Sequence, residues 1–416
     1  MRILYLHPKA WSGEYPVLAT LRGRGHDVFV LEEWRGDAKA KGGRKRPAMF
    51  ATPEFLRPGD GIETLWYDPH RGVGKLLTWP VDRFFKRAFS GRNLAHRMLV
   101  IRAAMARFQP DVVVCTDGFT YALPAAYLKR LGLLPARLLV SYIGGDILDC
   151  PEADYGRRRT TMVDAMFRAA IPAIDVFRPV SPLLAMVLVR DGAAPDKVKV
   201  VPSHLPKNLA RLREIHDRRG EIRREIEHSY QLSPTSPLLI TLSYNFRGKG
   251  VHLLAQQWHE ILRKFPQAKW LLCGPESPWI IQEVIPILTE NGCRDSVIFT
   301  GPLKGDAVFE YLAAADLHIS PTLCEGLNMV TVEAAAVGTP TISGDMAGIA
   351  DWITRFGAGA VVPSGNAGAL GEAIIGALSS PSQIALWDEA SLRMAQDFSL
   401  ERIAIALESM IEGEIA

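Results

Sequence analysis

No cysteine pair in this chain is spaced for a zinc or disulfide framework: Cys115, Cys150, Cys273, Cys293 and Cys324 lie far apart, odd in number, with no Cys-x-x-Cys among them. That usage fits reduced thiols in a reducing compartment, and the expected location is cytoplasmic. The ten histidines are scattered and no Asp-x-Asp closes a strand-like run, so no credible metal-ligand cluster emerges. An uninterrupted apolar run of about 18 residues is also missing, and the apolar start MRILYLHP is too short for a signal peptide. The expectation is a chain that does not span a membrane. Net charge is low as well: +3 over 416 residues argues against nucleic acid as the main partner, and any positive patch must be local.

What the chain does have is length and rhythm. At 416 residues it exceeds one ordinary core, and its 48% apolar and 22% charged composition is that of a globular protein, so two domains are expected. Short runs of β-branched residues and leucine, ending in Gly, Pro, Ser or Asp, alternate with stretches of helical spacing. The first half offers RILYLHP, HDVFVLEE, PDVVVCTDG, RLLVSYIGGD, DVFRPVS and VKVVPSH; the second offers PLLITLSY, KWLLCGPE, SVIFTGPL, ADLHISPT, PTISGD and GAVVPSG. This βαβ pattern predicts an α/β protein with two tandem Rossmann-like domains facing each other across a cleft. The expected division is 1–203, 204–385, and a helical segment 386–416 that packs outside the second sheet or turns back toward the first domain. Open parallel sheets bind ligands at the carboxyl ends of their strands, which makes the cleft the expected site.

Two segments carry chemistry. After LLITLSY comes NFRGKGVHLL, where Arg247, Gly248, Lys249 and Gly250 open an amphipathic helix. Backbone N–H groups, the helix dipole and two cations there suit a diphosphate, although a solvated basic turn would look the same. The second segment, SPTLCEGLNMVTVEAAAVGTP, places Glu325 and Glu333 eight positions apart in an apolar setting. An unpaired carboxylate is costly to bury, so each must reach water or a partner. A strand, a loop at CEGLN and a short helix stopping at Gly338 would put Glu325 on the loop and Glu333 on the helix. The N–H groups of Gly326, Leu327 and Asn328 would then face any anion there. A helix-start acid and a surface residue remain the plainer reading of the two glutamates.

The segment ADLHISPTLCEGLNMVTVEAAAVGTPTISGDMAGIADWI resembles the E-x7-E signature of the retaining glycosyltransferases of family 4, which have the GT-B fold. YNFRGKGVHLL is similar to that family's phosphate-binding segment. KWLLCGPE and VIFTGPL, with Gly274 and Leu303, are similar to the strands flanking the nucleotide base. The resemblance implies that Arg247 and Lys249 hold the donor diphosphate and stabilise the leaving nucleotide, and that Glu333 binds ribose hydroxyls. Glu325 would contact the transferred sugar, with Gly326, Leu327 and Asn328 supplying main-chain N–H groups. It implies no cofactor and no metal, with a nucleoside-diphosphate sugar as substrate. The likeness departs from the family at Tyr244, where an arginine is frequent, and at Ile143, where a histidine is usual before G-x-D. Gly144, Gly145 and Asp146 remain near the expected centre, and Asp146 is expected among the catalytic residues with Glu325, Arg247 and Lys249. In the first strand-loop only Gly13 stands where two glycines are common.

The expected acceptor is a glycan or a lipid-linked glycan, held by the first domain. RGDAKAKGGRKR, residues 35–46, has six cations and one acid and reads as a mobile basic loop. Residues 82–108 set seven arginines or lysines among Phe84, Phe85, Phe89, Leu94, Met98 and Leu99. This basic helix is a candidate for lying on an anionic membrane surface, which would make the protein peripheral at the inner face; packing of its apolar side on the sheet is the alternative. Rival functions from the same sequence are a nucleotide-sugar epimerase, an inverting transferase and a non-catalytic nucleotide-sugar binding subunit.

Overall fold

A computed structural model describes residues 1–7, 14–33, 62–67, 78–83, 94–244 and 247–413. Its two main sheets are each six-stranded and parallel. β1 (Arg2–His7), β2 (Asp27–Glu33), β3 (Glu63–Tyr67), β4 (Val112–Cys115) and β5 (Arg137–Tyr142) belong to the first. A small antiparallel hairpin of β6 (Asp149–Cys150) and β7 (Tyr155–Gly156) follows, and β8 (Val176–Pro179) completes the order β3-β2-β1-β4-β5-β8. The second sheet comprises β9 (Leu238–Leu242), β10 (Lys269–Cys273), β11 (Val297–Gly301), β12 (Leu317–Ser320), β13 (Thr341–Gly344) and β14 (Gly359–Val362), in the order β11-β10-β9-β12-β13-β14. Both sheets are doubly wound, and each reverses strand order beside its first strand, where such sheets open a ligand crevice.

The six strands expected in the second half are all present. In the first half one expectation is corrected: VKVVPSH is not a sheet strand. Lys199 and Val201 donate to Phe177 O and Pro179 O of β8, but Pro179 has no N–H to return. The carbonyls of Val201 and Pro202 are taken instead by the Arg178 guanidinium, leaving only an isolated bridge between Phe177 and Val198. The sixth strand is β3, an edge strand in register with β2.

β4 and β9 are buried along their whole length, as strands covered on both faces should be. On one face of the first sheet, Ile3, Tyr5, Val28 and Val30 pack under helix Tyr15–Gly23 and the final helix Leu400–Glu412, through Val17, Leu18, Leu21, Ile403, Leu407 and Met410. Glu408 fixes that final helix by accepting from Arg24 (2.5 Å) and pairing with His26 (2.9 Å). Helix Leu94–Phe108 covers the opposite face with Leu94, Val100, Ile101, Ala104 and Phe108. That corrects part of the lipid-surface expectation: Leu94 is core, and Arg97 is buried in an ion pair with Glu33. Met98 is half-buried and Leu99 exposed, while Phe84, Phe85, Phe89 and the basic loop 35–46 lie outside the described residues.

The second domain has its own core around Trp258 and Trp270, whose rings lie 5.6 Å apart. Each indole N–H is satisfied, by Ser296 Oγ at 2.7 Å and Thr241 Oγ1 at 3.2 Å, so both rings sink fully without stranding a donor. No described helix is long and apolar enough to cross a membrane.

Candidate active site

The turn after β9 and the loop after β12 are joined at the carboxyl edge of the second sheet. Gly250, at φ 66°, caps helix Val251–Lys264, and a Cβ there would lie 2.3 Å from Pro321 O. Leu323 N–H donates to Gly248 O at 3.0 Å. This close approach, which only glycine permits, brings Lys249 over the second loop. Its ammonium is largely buried, ion-pairs with Glu325, and donates to Asn328 Oδ1 at 2.8 Å. Asn328 in turn donates from Nδ2 to Ser320 Oγ at 2.9 Å. It caps helix Met329–Ala336 at φ 82°, a left-handed conformation that asparagine tolerates better than most residues. The motif therefore meets as a three-residue node of Lys249, Glu325 and Asn328.

The main chain of Glu325 is pinned by N–H donation to Met346 O and by acceptance from Gly348 N–H. The N–H groups of Gly326, Leu327 and Asn328 donate no backbone hydrogen bond among the described residues, and all three residues are buried at the helix start. Leu327 itself points into the core. Glu333, one turn further along, is half-buried and makes no hydrogen bond or ion pair among the described residues. Burial pushes its carboxyl up to about 7, with Lys249 opposing the shift. His318 beneath the node is pushed down to about 3 by burial and by Lys249, so it contributes no second cation at neutral pH.

The first domain closes against this loop. A Cβ on Gly326 would lie 2.0 Å from Ile143 O and 2.7 Å from Gly144 Cα. Ser181 Oγ donates to Gly326 O at 2.6 Å and Arg247 Nε to Glu152 O at 3.2 Å. Arg247 is exposed and spans the boundary; Lys249 lies deeper. The carboxylate of Asp146 is buried and accepts from Gly118 N–H (2.7 Å), Gly144 N–H (2.8 Å) and Ile143 N–H (3.2 Å). Burial raises its pKa while those three donors oppose the rise. Both oxygens are engaged in shaping the 143–146 turn, so Asp146, expected from the sequence among the catalytic residues, is held by the backbone of its own domain. Ile143 is 39% exposed where the histidine was expected. Tyr155 lies against Gly144 and Gly145, its phenol kept neutral by burial and by the nearby Glu325 carboxylate.

On the base side, Gly274 at φ 154° leaves β10 by donating to Gly301 O at 3.0 Å, and Leu303 is half-buried beyond β11. Gly13 lies outside the described residues.

Residues 237–380 match the family model described as glycosyl transferases group 1. WcaL of Salmonella typhimurium, a glycosyltransferase named for colanic acid biosynthesis, is 22% identical over 93% of each chain. Among solved structures, sucrose-phosphate synthase of Thermosynechococcus elongatus superposes with a TM-score of 0.72 at 17% identity, covering 100% of this chain and 99% of that one. HepE of Anabaena, solved with UDP, gives 0.69 at 16% identity, covering 99% and 100%. The chain is a glycosyltransferase of the GT-B fold, with the group 1 match confined to residues 237–380.

Sequence reading of this glycosyltransferase missed Ser181, Tyr155 and Gly348, all of which touch the Glu325 loop or the turn facing it. Ser181 had a local signal, since Ser-Pro opening a helix is a capping pattern, and its hydroxyl does accept from Leu184 N–H. That signal says nothing of a second domain. An alpha-monoglucosyldiacylglycerol synthase of Streptococcus pneumoniae is 24% identical to the glycosyltransferase over 66% of this chain and 61% of that one.

Proposed function

We propose that this glycosyltransferase moves a sugar, with retention as in family 4, from a nucleoside-diphosphate sugar to a glycan or lipid-linked acceptor used in bacterial surface polysaccharide or glycolipid synthesis. The observation that carries the reading is the node: a nearly buried lysine held by Glu325 and Asn328, beside three main-chain N–H groups at a helix start that donate no backbone hydrogen bond among the described residues. Positive charge is thus fixed where a departing diphosphate would gather negative charge, and it needs no reorganisation during the reaction. In this reading the glycosidic bond to the diphosphate breaks as the acceptor oxygen approaches on the same face. The acceptor proton passes to the leaving phosphate oxygen. Glu325, already paired with Lys249, orients sugar hydroxyls rather than attacking the anomeric carbon. Incubation with UDP-, GDP- and ADP-sugars tests this: one donor should be slowly hydrolysed to nucleoside diphosphate and sugar, with no isomerised donor. Isomerisation without an acceptor would favour the epimerase, and inertness toward every donor a binding subunit.

Glu325→Gln keeps the shape but weakens the pairing with Lys249. Transfer should fall ten- to hundredfold by initial rates, with the fold intact by circular dichroism. Unchanged rates would remove Glu325 from the machinery.

Glu333 predicts a pH dependence. With a carboxyl pKa near 7 in the free protein, it is mostly protonated at pH 6 and mostly ionised at pH 8. Ribose hydroxyls donate best to the anion, so donor binding lowers that pKa and affinity rises with pH through 7. The donor KM should therefore rise several-fold between pH 8 and pH 6 in the wild type and stay flat in Glu333→Gln. The stability sign is opposite: because the folded pKa is raised, this carboxyl favours folding most at low pH, and the benefit is lost as pH rises from the ordinary carboxylate range to about 7.

A lipid-linked acceptor would place the enzyme at the inner membrane face. Cosedimentation with anionic and neutral vesicles separates this from a soluble acceptor.

A further inference from the structure

The carboxyl edge of the first sheet holds a second polar centre, apart from the donor node. In register, Tyr5 of β1, Val30 of β2 and Thr64 of β3 lie side by side, and Glu32 follows two residues after Val30 on the same face. Tyr15, at the start of helix Tyr15–Gly23, covers them. Glu32 is 1% exposed, yet neither carboxylate oxygen has a hydrogen-bond partner. The hydroxyls of Tyr5, Tyr15 and Thr64 are buried without a well-formed hydrogen bond too, although Tyr15 lies close to both Glu32 and Thr64.

Neighbouring residues show that this is not how the fold treats a buried acid. Glu33, facing the other side of the sheet, accepts from Arg97 Nε at 2.7 Å and from Tyr67 OH at 3.0 Å. Val28 and Val30, earlier in the same strand and on the face of Glu32, are ordinary core. A valine or leucine at position 32 would continue that core, whereas an unpartnered carboxyl opposes folding unless something else repays it. Burial raises the Glu32 carboxyl pKa to about 7, and no lysine or arginine forms an ion pair with it among the described residues.

We infer that Glu32, Tyr15 and Thr64 form a hydroxyl-reading subsite for a sugar ring of the acceptor. A carboxylate presents two oxygens to which vicinal hydroxyls can donate together, and the phenol and threonine hydroxyls can both give and accept. Hydroxyls suit the place better than an ammonium, which would itself have to be stripped of water. Glu32 lies at the carboxyl edge of the same sheet whose turn after β5 and whose Ser181 after β8 meet the Glu325 loop. The inference rests on the transferase reading only in calling the ligand an acceptor.

Saturation-transfer NMR with methyl α-glucopyranoside, methyl α-mannopyranoside and methyl α-galactopyranoside tests it. At least one glycoside should bind the wild type at millimolar concentration, at least tenfold more weakly in Glu32→Leu, and with an intermediate loss in Glu32→Gln. Glu32→Leu should melt at or above the wild-type temperature, because it removes an unpaired buried acid. The inference is overturned if no glycoside binds, if all three proteins bind equally, or if Glu32→Leu melts several degrees lower and Glu32→Gln behaves as wild type. UDP, GDP and ADP measured in the same way separate the two readings. Nucleotide binding without glycoside binding removes the subsite and keeps the transferase; the reverse removes the transferase and keeps the subsite.

Discussion

Lys249→Ala should lower the transfer rate by a hundred- to a thousandfold, with most of the loss in kcat. The ammonium is the cation fixed deepest in the node, and removal of one preorganised donor to developing negative charge has an effect of about this size in other active sites. Loss of Nζ also strips Asn328 Oδ1, a buried acceptor, of its 2.8 Å donor and leaves Glu325 without its ion pair. The stranded acceptor alone costs about 1–3 kcal/mol, so the melting temperature should fall by a few degrees. Arginine should not rescue. Lys249 stands between Gly248 and Gly250, where Gly250 already touches Pro321 O, and a planar guanidinium needs a broader slot than the compact ammonium occupies. Initial rates at saturating donor, with melting curves alongside, check the prediction; a Lys249→Ala rate within fivefold of wild type would refute the node as the site of leaving-group stabilisation.

The parts of this site that were legible in sequence are those where the physics is local. Strands β9, β10, β12 and β13 show as apolar runs because the interior of a parallel sheet is covered on both faces. Glu325 and Glu333 stand out because acids in such a run demand a reason. The glycines around Lys249 mark a tight turn at a helix start. Legibility ends where a property depends on distant chain. Asp146 looked like a group at the reacting centre, but its oxygens are consumed by N–H groups from Gly118, Ile143 and Gly144. VKVVPSH has the composition of a strand, and only the missing N–H of Pro179 and the reach of Arg178 prevent it from becoming one. β3 carries little apolar periodicity because it is an edge strand, paired on one side alone. Glu32 sits inside VLEE beside Glu33, and no rule of spacing says that one is satisfied and the other orphaned.

Gly326→Ala should reduce transfer by at least a hundredfold without unfolding either domain. Gly326 follows Glu325 directly, and an added methyl would meet Ile143 O at 2.0 Å and Gly144 Cα at 2.7 Å. Those atoms belong to backbone of the other domain, shaped by Asp146, and backbone cannot swing aside as a side chain can. Gly144 is equally constrained: at φ 133°, its own Cβ would strike Tyr155 OH at 2.3 Å and Gly326 N at 2.8 Å. The conflict can be relieved only by moving the two loops apart. That would break the 2.6 Å bond from Ser181 Oγ to Gly326 O and shift Glu325 against the first-domain wall. A misplacement of about 1 Å between reacting groups costs on the order of a hundredfold in rate. Gly376→Ala provides the contrast. It lies within helix Ala367–Leu378 with nothing within 4 Å of the new methyl, so it should stabilise by about 0.5–1 kcal/mol and leave the rate unchanged. If the two alanine variants prove alike in activity, the contact between Gly144 and Gly326 is not part of the working enzyme; if only Gly326→Ala fails, with a larger radius of gyration by X-ray scattering, then the approach of the two backbones is what brings acceptor and donor together.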